Sequence, residues 1–148
     1  MKALIQRVTS SSVEVDGTNV GQINKGLLVF IGIEKLDELS HADKMINKIL
    51  SYRVFSDAND KMNLSVSDIN GDVLLVPQFT LAADTKNGTR AGFSTAMNPL
   101  EAENIYDYMV EKFKTYLNTQ SGVFGANMKV SLVNDGPVTF LLECELFS

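Results

Sequence analysis

Two closely spaced turn signals constrain this 148-residue chain more than any other feature. Asp16-Gly17 and Asn24-Lys25-Gly26 divide its opening into "ALIQRVTSSSVEV" at 3–15, "TNVGQI", and an apolar run at 27–33. Asp-Gly and Asn-x-Gly between β-rich runs are hairpin punctuation, so the chain opens as three strands. A sheet must bury a face, and the sequence supplies the cover. From residue 39 onward Leu39, Ala42, Ile46, Ile49 and Leu50 recur at helical spacing, with Ser40 and Asp43 placed like a capping box, which predicts an amphipathic helix over 38–52. Asn98-Pro99-Leu100-Glu101 combines a cap, a proline at the first helical position and an early acid. The helix it opens is expected to run to about 118 and to bury Ala102, Ile105, Tyr106, Met109, Phe113 and Leu117. Further strands are expected at 53–55, 73–81, 127–133 and 138–146. These elements predict an α+β fold in a single domain over 1–148, with mainly antiparallel sheets packed as a sandwich or partial barrel and two main helices covering one face. No repeat, low-complexity tract or linker divides the chain.

Several chemistries are excluded by inventory. Cys144 is the only cysteine, so no internal disulfide forms, and the amino terminus lacks a basic segment followed by an apolar signal core. The longest apolar runs, at 26–33 and 73–83, are too short to span a bilayer as helices, and a cytoplasmic protein is expected. One histidine and one cysteine cannot make a structural zinc site, and "DANDKMNLSVSD" lacks the glycine and terminal glutamate of a calcium loop. No metal or cofactor is expected. His41 falls in the first helical turn and reads as an exposed or capping residue, and Cys144 reads as core. A net charge of −5 argues against indiscriminate nucleic-acid binding, although Arg7, Arg53, Lys61, Lys86 and Arg90 are either solvated charges or members of a local basic site.

Two segments remain. In "PQFTLAADTKNGTRAGF", residues 77–93, an extended strand would present Gln78 and Thr80 on one face and Phe79 on the other, beside a loop carrying Lys86 and Arg90. Pro77 is an anomaly there, because proline cannot donate to a ladder. In "VNDGPVTF", residues 133–140, Asn-Asp-Gly reads as a turn between two strands, yet Pro137 removes a donor where the returning strand should begin pairing. Pro137 either stiffens a turn or fixes a peptide that is aimed at something.

Together these segments resemble the D-aminoacyl-tRNA deacylases, whose paired signatures are Ser-Gln-Phe-Thr-Leu and Asn-x-Gly-Pro-Val-Thr. They stand here as Pro77-Gln78-Phe79-Thr80-Leu81 and Asn134-Asp135-Gly136-Pro137-Val138-Thr139, and the resemblance extends through "KMNLSV" at 61–66, "ADTKNGTR" at 83–90 and "FGANM" at 124–128. It implies a homodimer that hydrolyses the ester between a D-amino acid, or glycine, and the terminal adenosine of tRNA, without metal, cofactor or membrane. It further implies that the Gly136–Pro137 peptide is cis and enters the partner subunit's pocket, with Asn134 in the same motif and Arg7 holding the peptide. Gln78, Phe79 and Thr80 correspond to the catalytic segment. A threonine nucleophile needs an adjacent base that this sequence does not offer, so the backbone N–H groups of Phe79 and Thr80 are the candidate oxyanion donors. Lys86 and Arg90 are the candidate contacts to the tRNA 3′ end. Pro77 departs from the family's serine. The alternative reading is a catalytically inactive, nucleic-acid-binding homodimer of the same fold, or a structural homodimer that uses "VNDGPVTF" only for subunit contact.

Overall fold

β1 (Lys2–Val15) organises the chain. The computed structural model describes residues 1–144. Along one edge β1 pairs antiparallel with β2 (Thr18–Ile23) and β3 (Gly26–Gly32), and along the other with β8 (Lys129–Glu143). The Asp16-Gly17 hairpin forms as the sequence predicts, with both residues at positive φ, of 49° and 78°. Asn24-Lys25-Gly26 makes no hairpin: β2 and β3 do not pair with each other and instead follow one another along β1 in one continuous register, so the segment only bends the chain. After α1 (Leu39–Ser51) and a two-stranded ribbon of β4 (Phe55–Ser56) and β5 (Met62–Leu64), the chain returns as β6 (Asp72–Pro77). β6 pairs parallel with β3, and α2 (Pro99–Lys114) then leads to β7 (Thr119–Ser121), parallel to β6.

One mixed sheet therefore replaces the expected pair of mainly antiparallel sheets. Each parallel step spans a helix, because parallel neighbours require a long crossover. The sheet curls around a second core cluster, with β2 running on from β3 and reaching over to β6 and β7, so the partial-barrel alternative describes it better than the sandwich.

Strand alternation divides the core. Ala3, Ile5, Leu27, Val29, Ile31, Val73 and Leu75 face the helices, packing against Met45, Ile46 and Ile49 of α1 and Tyr106, Met109 and Phe113 of α2. Both helices cover this one face, as expected. Val8, Val13, Ile23, Leu28, Leu74 and Val76 form a second cluster inside the curl.

Several local details differ from the sequence reading. The cap of α1 is Glu38, whose N–H donates to His41 Nδ1 at 2.9 Å, so the reciprocal contact uses the histidine rather than Ser40 and Asp43. Leu39 is exposed although it is in phase with the buried residues. α2 begins as predicted, with Asn98 Oδ1 accepting the Leu100 N–H at 2.9 Å, but it ends at Lys114, and the buried Leu117 lies beyond it. β6 stops at Pro77, and residues Phe79–Ala82 form a 3₁₀ turn rather than more strand. Residues 145–146 of the expected last strand lie outside the described residues.

The largest difference concerns "VNDGPVTF". No hairpin forms there. Residues before and after it belong to the same strand, β8, and pair with the same partner, β1. The register passes from Gln6 opposite Thr139 to Val8 opposite Asn134, so two steps along β1 span five along β8 and the excess loops out as a bulge.

Gly26 marks where β3 and β6 approach most closely. A Cβ there would lie 1.9 Å from the Asp72 carbonyl oxygen, at the first rung of the parallel ladder. Gly26→Ala must push the strands apart and is expected to cost about 3 kcal/mol or more, at the upper end for overpacking. Chemical denaturation of the purified variant measures this, and a loss below about 1 kcal/mol would show that the ladder yields easily.

Candidate active site

β6 delivers the first motif to the end of the sheet. Its pairing with β7 covers only Val73 to Leu75, and the Gly122 N–H closes that side on the Leu75 carbonyl at 2.8 Å. No strand stands opposite Pro77 on that side among the described residues, which explains how proline is accommodated there. On the other side the Gln78 N–H donates to the Ile31 carbonyl at 2.8 Å, and the chain then turns. Gly32 permits the turn to lie on β3, since a Cβ at Gly32 would stand 2.7 Å from Leu81 Cβ and 3.2 Å from the Gln78 carbonyl oxygen.

Gln78 and Thr80 do come together, though by way of the turn rather than strand alternation. Gln78 Nε2 donates to Thr80 Oγ1 at 2.5 Å. The N–H groups of Phe79 and Thr80, at the start of the 3₁₀ turn, have no partner within it, as at any helical N-terminus.

A cavity of about 760 Å³ opens beside this turn. Pro77, Gln78 and Phe79 form one wall, Met97 and Tyr106 another, and the loop from Phe124 to Met128 a third. Its lining contains no aspartate, glutamate, histidine, lysine, arginine or cysteine. Tyr106 is the one titratable group, and burial pushes its phenol up while its O–H donates to the Leu75 carbonyl at 2.9 Å. It cannot serve as a base near neutral pH. His41 and Cys144 lie elsewhere, beside the Met1 ammonium, which Glu34 and Asp37 accept at 2.6 and 3.0 Å.

The third wall was not assigned from sequence, although "FGANM" was visible. Its signal is local: Gly125 takes φ +78°, a turn conformation suited to glycine, immediately after an aromatic residue. Tyr106 and Met97 were also missed as pocket residues, because Tyr106 is simultaneously on the buried face of α2.

The second motif is built separately and does not line this cavity. At the neck of the bulge, Asn134 Oδ1 accepts the Val138 N–H and Asn134 Nδ2 donates to Thr139 Oγ1, both at 2.9 Å. Gln6 Nε2 donates to the same hydroxyl oxygen at 3.2 Å. Arg7 reaches across, its Nε donating to the Asp135 carbonyl at 2.9 Å and its Nη1 to the Val54 carbonyl at 2.7 Å. One rigid guanidinium thus ties the bulge to the segment after α1. Gly136 has φ +134°, and a Cβ there would meet Val138 Cγ2 at 2.7 Å and Arg7 Nη2 at 3.0 Å. The Gly136–Pro137 peptide is cis.

Lys86 and Arg90 project from a loop whose neck is closed by reciprocal backbone bonds between Asp84 and Gly92, at 2.8 and 2.9 Å. Both are exposed and make no ion pair among the described residues. Among those residues no group of three or more His, Cys, Asp or Glu could hold a metal ion, and no helix is long and apolar enough to cross a membrane.

Comparison with known proteins places this geometry. Residues 4–143 match the family model described as D-Tyr-tRNA(Tyr) deacylase. The D-aminoacyl-tRNA deacylase of Vibrio cholerae is 56% identical over 143 residues, covering 97% of this chain and 99% of that protein. That of Aliivibrio fischeri is 54% identical with the same coverage. Among solved structures, a c-Myc DNA unwinding element binding protein is 40% identical and superposes with a TM-score of 0.93, covering 98% of this chain and 99% of that one. A probable eukaryotic D-amino acid tRNA deacylase is 15% identical with a TM-score of 0.84, covering 95% and 97%, a likeness of fold alone. With both signatures present and the match running almost from end to end, this chain belongs to the D-aminoacyl-tRNA deacylase family of hydrolases.

Proposed function

We propose that this chain hydrolyses D-aminoacyl-tRNA, and glycyl-tRNA mischarged on tRNA-Ala, as a cytoplasmic homodimer that refuses L-aminoacyl esters. The observation that carries the chemistry is the cavity beside Gln78–Thr80, which offers no charged side chain and no base. A site of that kind cannot activate a poor substrate, but an aminoacyl ester is already activated. Orientation and stabilisation of the developing oxyanion are then sufficient, and the first N–H groups of the 3₁₀ turn, at Phe79 and Thr80, supply donors that need no reorganisation. Water, positioned by the vicinal 2′-OH of the terminal ribose, adds to the ester carbonyl. Collapse of the tetrahedral intermediate breaks the bond to the ribose oxygen, which takes up the proton, and releases the free amino acid. Thr80 shapes this site. Its hydroxyl oxygen already accepts from Gln78 and has no base beside it.

Handedness is assigned to the bulge at 134–139. Its backbone is held by Arg7 and Asn134, so a carbonyl near the substrate's α-carbon is fixed in place. Such a wedge accommodates hydrogen and clashes with a side chain. An L-residue directs its Cβ at the wedge, a D-residue directs hydrogen, and glycine presents hydrogen either way. Because the bulge does not line its own chain's cavity, the wedge is supplied by a second copy. Two features support this association: β8 is paired on one side only among the described residues, and it exposes Val133 (56%) and Leu141 (50%). Lys86 and Arg90 meet the backbone of the tRNA 3′ end.

The selectivity expected of a backbone filter is broad in size and strict in hand. Wild-type protein should hydrolyse D-Tyr-tRNA and glycyl-tRNA and spare L-Tyr-tRNA, while Arg7→Ala, which loosens the bulge, should lower activity and narrow the gap between D and L. Parallel deacylation assays with these three substrates test this. Sparing of glycine, or an Arg7→Ala protein with undiminished activity and discrimination, would rule the wedge out.

Thr80→Ala should retain activity within about 10-fold, whereas removal of a true nucleophile costs on the order of 10⁴-fold or more. Replacing the terminal 2′-OH of the substrate by hydrogen should be the more damaging change. Single-turnover kinetics of the variant and of the 2′-deoxy substrate distinguish the two roles, and a near-dead Thr80→Ala with an unharmed deoxy substrate reverses the assignment.

A further inference from the structure

Two large aromatic side chains stand in the open at the lip of the cavity. Phe79 is 61% exposed and Phe93 48%, and their ring centroids are 5.3 Å apart with planes tilted by 45°. Neither belongs to a buried core cluster. Their proximity is built in. Phe79 opens the 3₁₀ turn, and the chain from 84 to 92 leaves and returns through the reciprocal Asp84–Gly92 bonds, which set Phe93 down immediately after the neck. Thr95 Oγ1, two residues on, donates to the Ala82 carbonyl at the end of the same turn. The loop so closed carries Lys86 and Arg90, exposed and without ion-pair partners among the described residues. Apolar ring faces beside unpaired cations, at the mouth of an uncharged pocket, match a single-stranded nucleic acid, whose bases stack while its phosphates meet the charges.

We propose that Phe79 and Phe93 form a stacking platform for the base of the penultimate nucleotide of the substrate, one residue outside the cavity that takes the terminal aminoacylated nucleoside. The inference rests on the proposed function and adds a subsite to it. The terminal nucleoside must place its ester against the Gln78–Phe79 wall of the cavity, beside the turn that carries Thr80, so its neighbour leaves at the rim, where the two rings are. Lys86 and Arg90 then face the phosphates on either side of the stacked base. Stacking reads no hydrogen-bonding edge, so the subsite contributes affinity and registers the strand without choosing a base.

The chain contains no tryptophan, so Phe93→Trp introduces a single reporter. Its fluorescence should be quenched by the trinucleotide CCA and much less by the same trinucleotide with an abasic middle position, with affinities differing by about 10-fold. An equal response to both probes overturns the proposal. So does a reporter that is already shielded and insensitive to RNA, which would identify the pair as a contact between copies of the chain. In kinetics, Phe93→Ala should raise KM for D-Tyr-tRNA by about 10-fold more than it does for D-tyrosyl-adenosine, which lacks the penultimate nucleotide. Equal losses on the two substrates would show a structural role for Phe93 and overturn the proposal. If the wild type fails to deacylate either substrate, the deacylase reading falls while the quenching comparison still decides the platform.

Discussion

Backbone pairing along β1 is the constraint on which the rest of the structure depends. One edge of this strand takes β3 and then β2, and the other takes β8 over nearly its whole length. Because the hydrogen-bonding groups of β1 are committed on both edges, any mismatch in length between β1 and β8 must be expelled from the sheet. The expelled residues are Asn134–Thr139's bulge, and Arg7, projecting from β1 beside it, fastens it to the segment after α1. The same strand thus sets the sheet and creates the projection at 134–139.

The cavity depends on a second constraint, the parallel placement of β6 between β3 and β7. Glycine at position 26 admits β6 against β3, and glycine at 32 admits the 3₁₀ turn onto the end of β3. Between them they fix the height at which Gln78, Phe79 and Thr80 leave the sheet. The resulting wall is polar only through amide and hydroxyl groups. Such a site suits an ester that carries its own activation, since preorganised neutral donors stabilise an oxyanion without having to be charged beforehand. Charge is kept outside, on the loop of Lys86 and Arg90, where it can act on a polyanionic strand at little desolvation cost.

Much of this was legible residue by residue. Asp16-Gly17 dictated its turn because few residues accept positive φ, and Asn98-Pro99 opened α2 because a side-chain oxygen and a fixed φ satisfy a helix start. The helical spacing of Ala42, Ile46 and Ile49 named the face that lies on the sheet. Where sequence reading failed, the missing information was a partner. Ser40 and Asp43 fit the capping pattern as well as Glu38 and His41 do, and only the place where the helix begins selects between them. "NDG" satisfies hairpin chemistry, yet both flanks found the same partner strand, so it became a bulge.

What the sequence by itself determined is therefore local: the Asp16-Gly17 turn, the cap of α2, the periodic faces, and the two motifs that mark the family. Dihedral preference and side-chain periodicity act between residues a few positions apart, and any stretch of chain displays them. Only the tertiary structure decided that β3, β6 and β7 run parallel, that Thr80 meets Gln78 through a turn, that Arg7 binds carbonyls from two distant segments, and that Phe79 and Phe93 share one rim. These pairings join positions far apart in the chain. They are settled by which strands close the curl and which backbones a glycine lets touch, a competition among long-range contacts that no single stretch of sequence records.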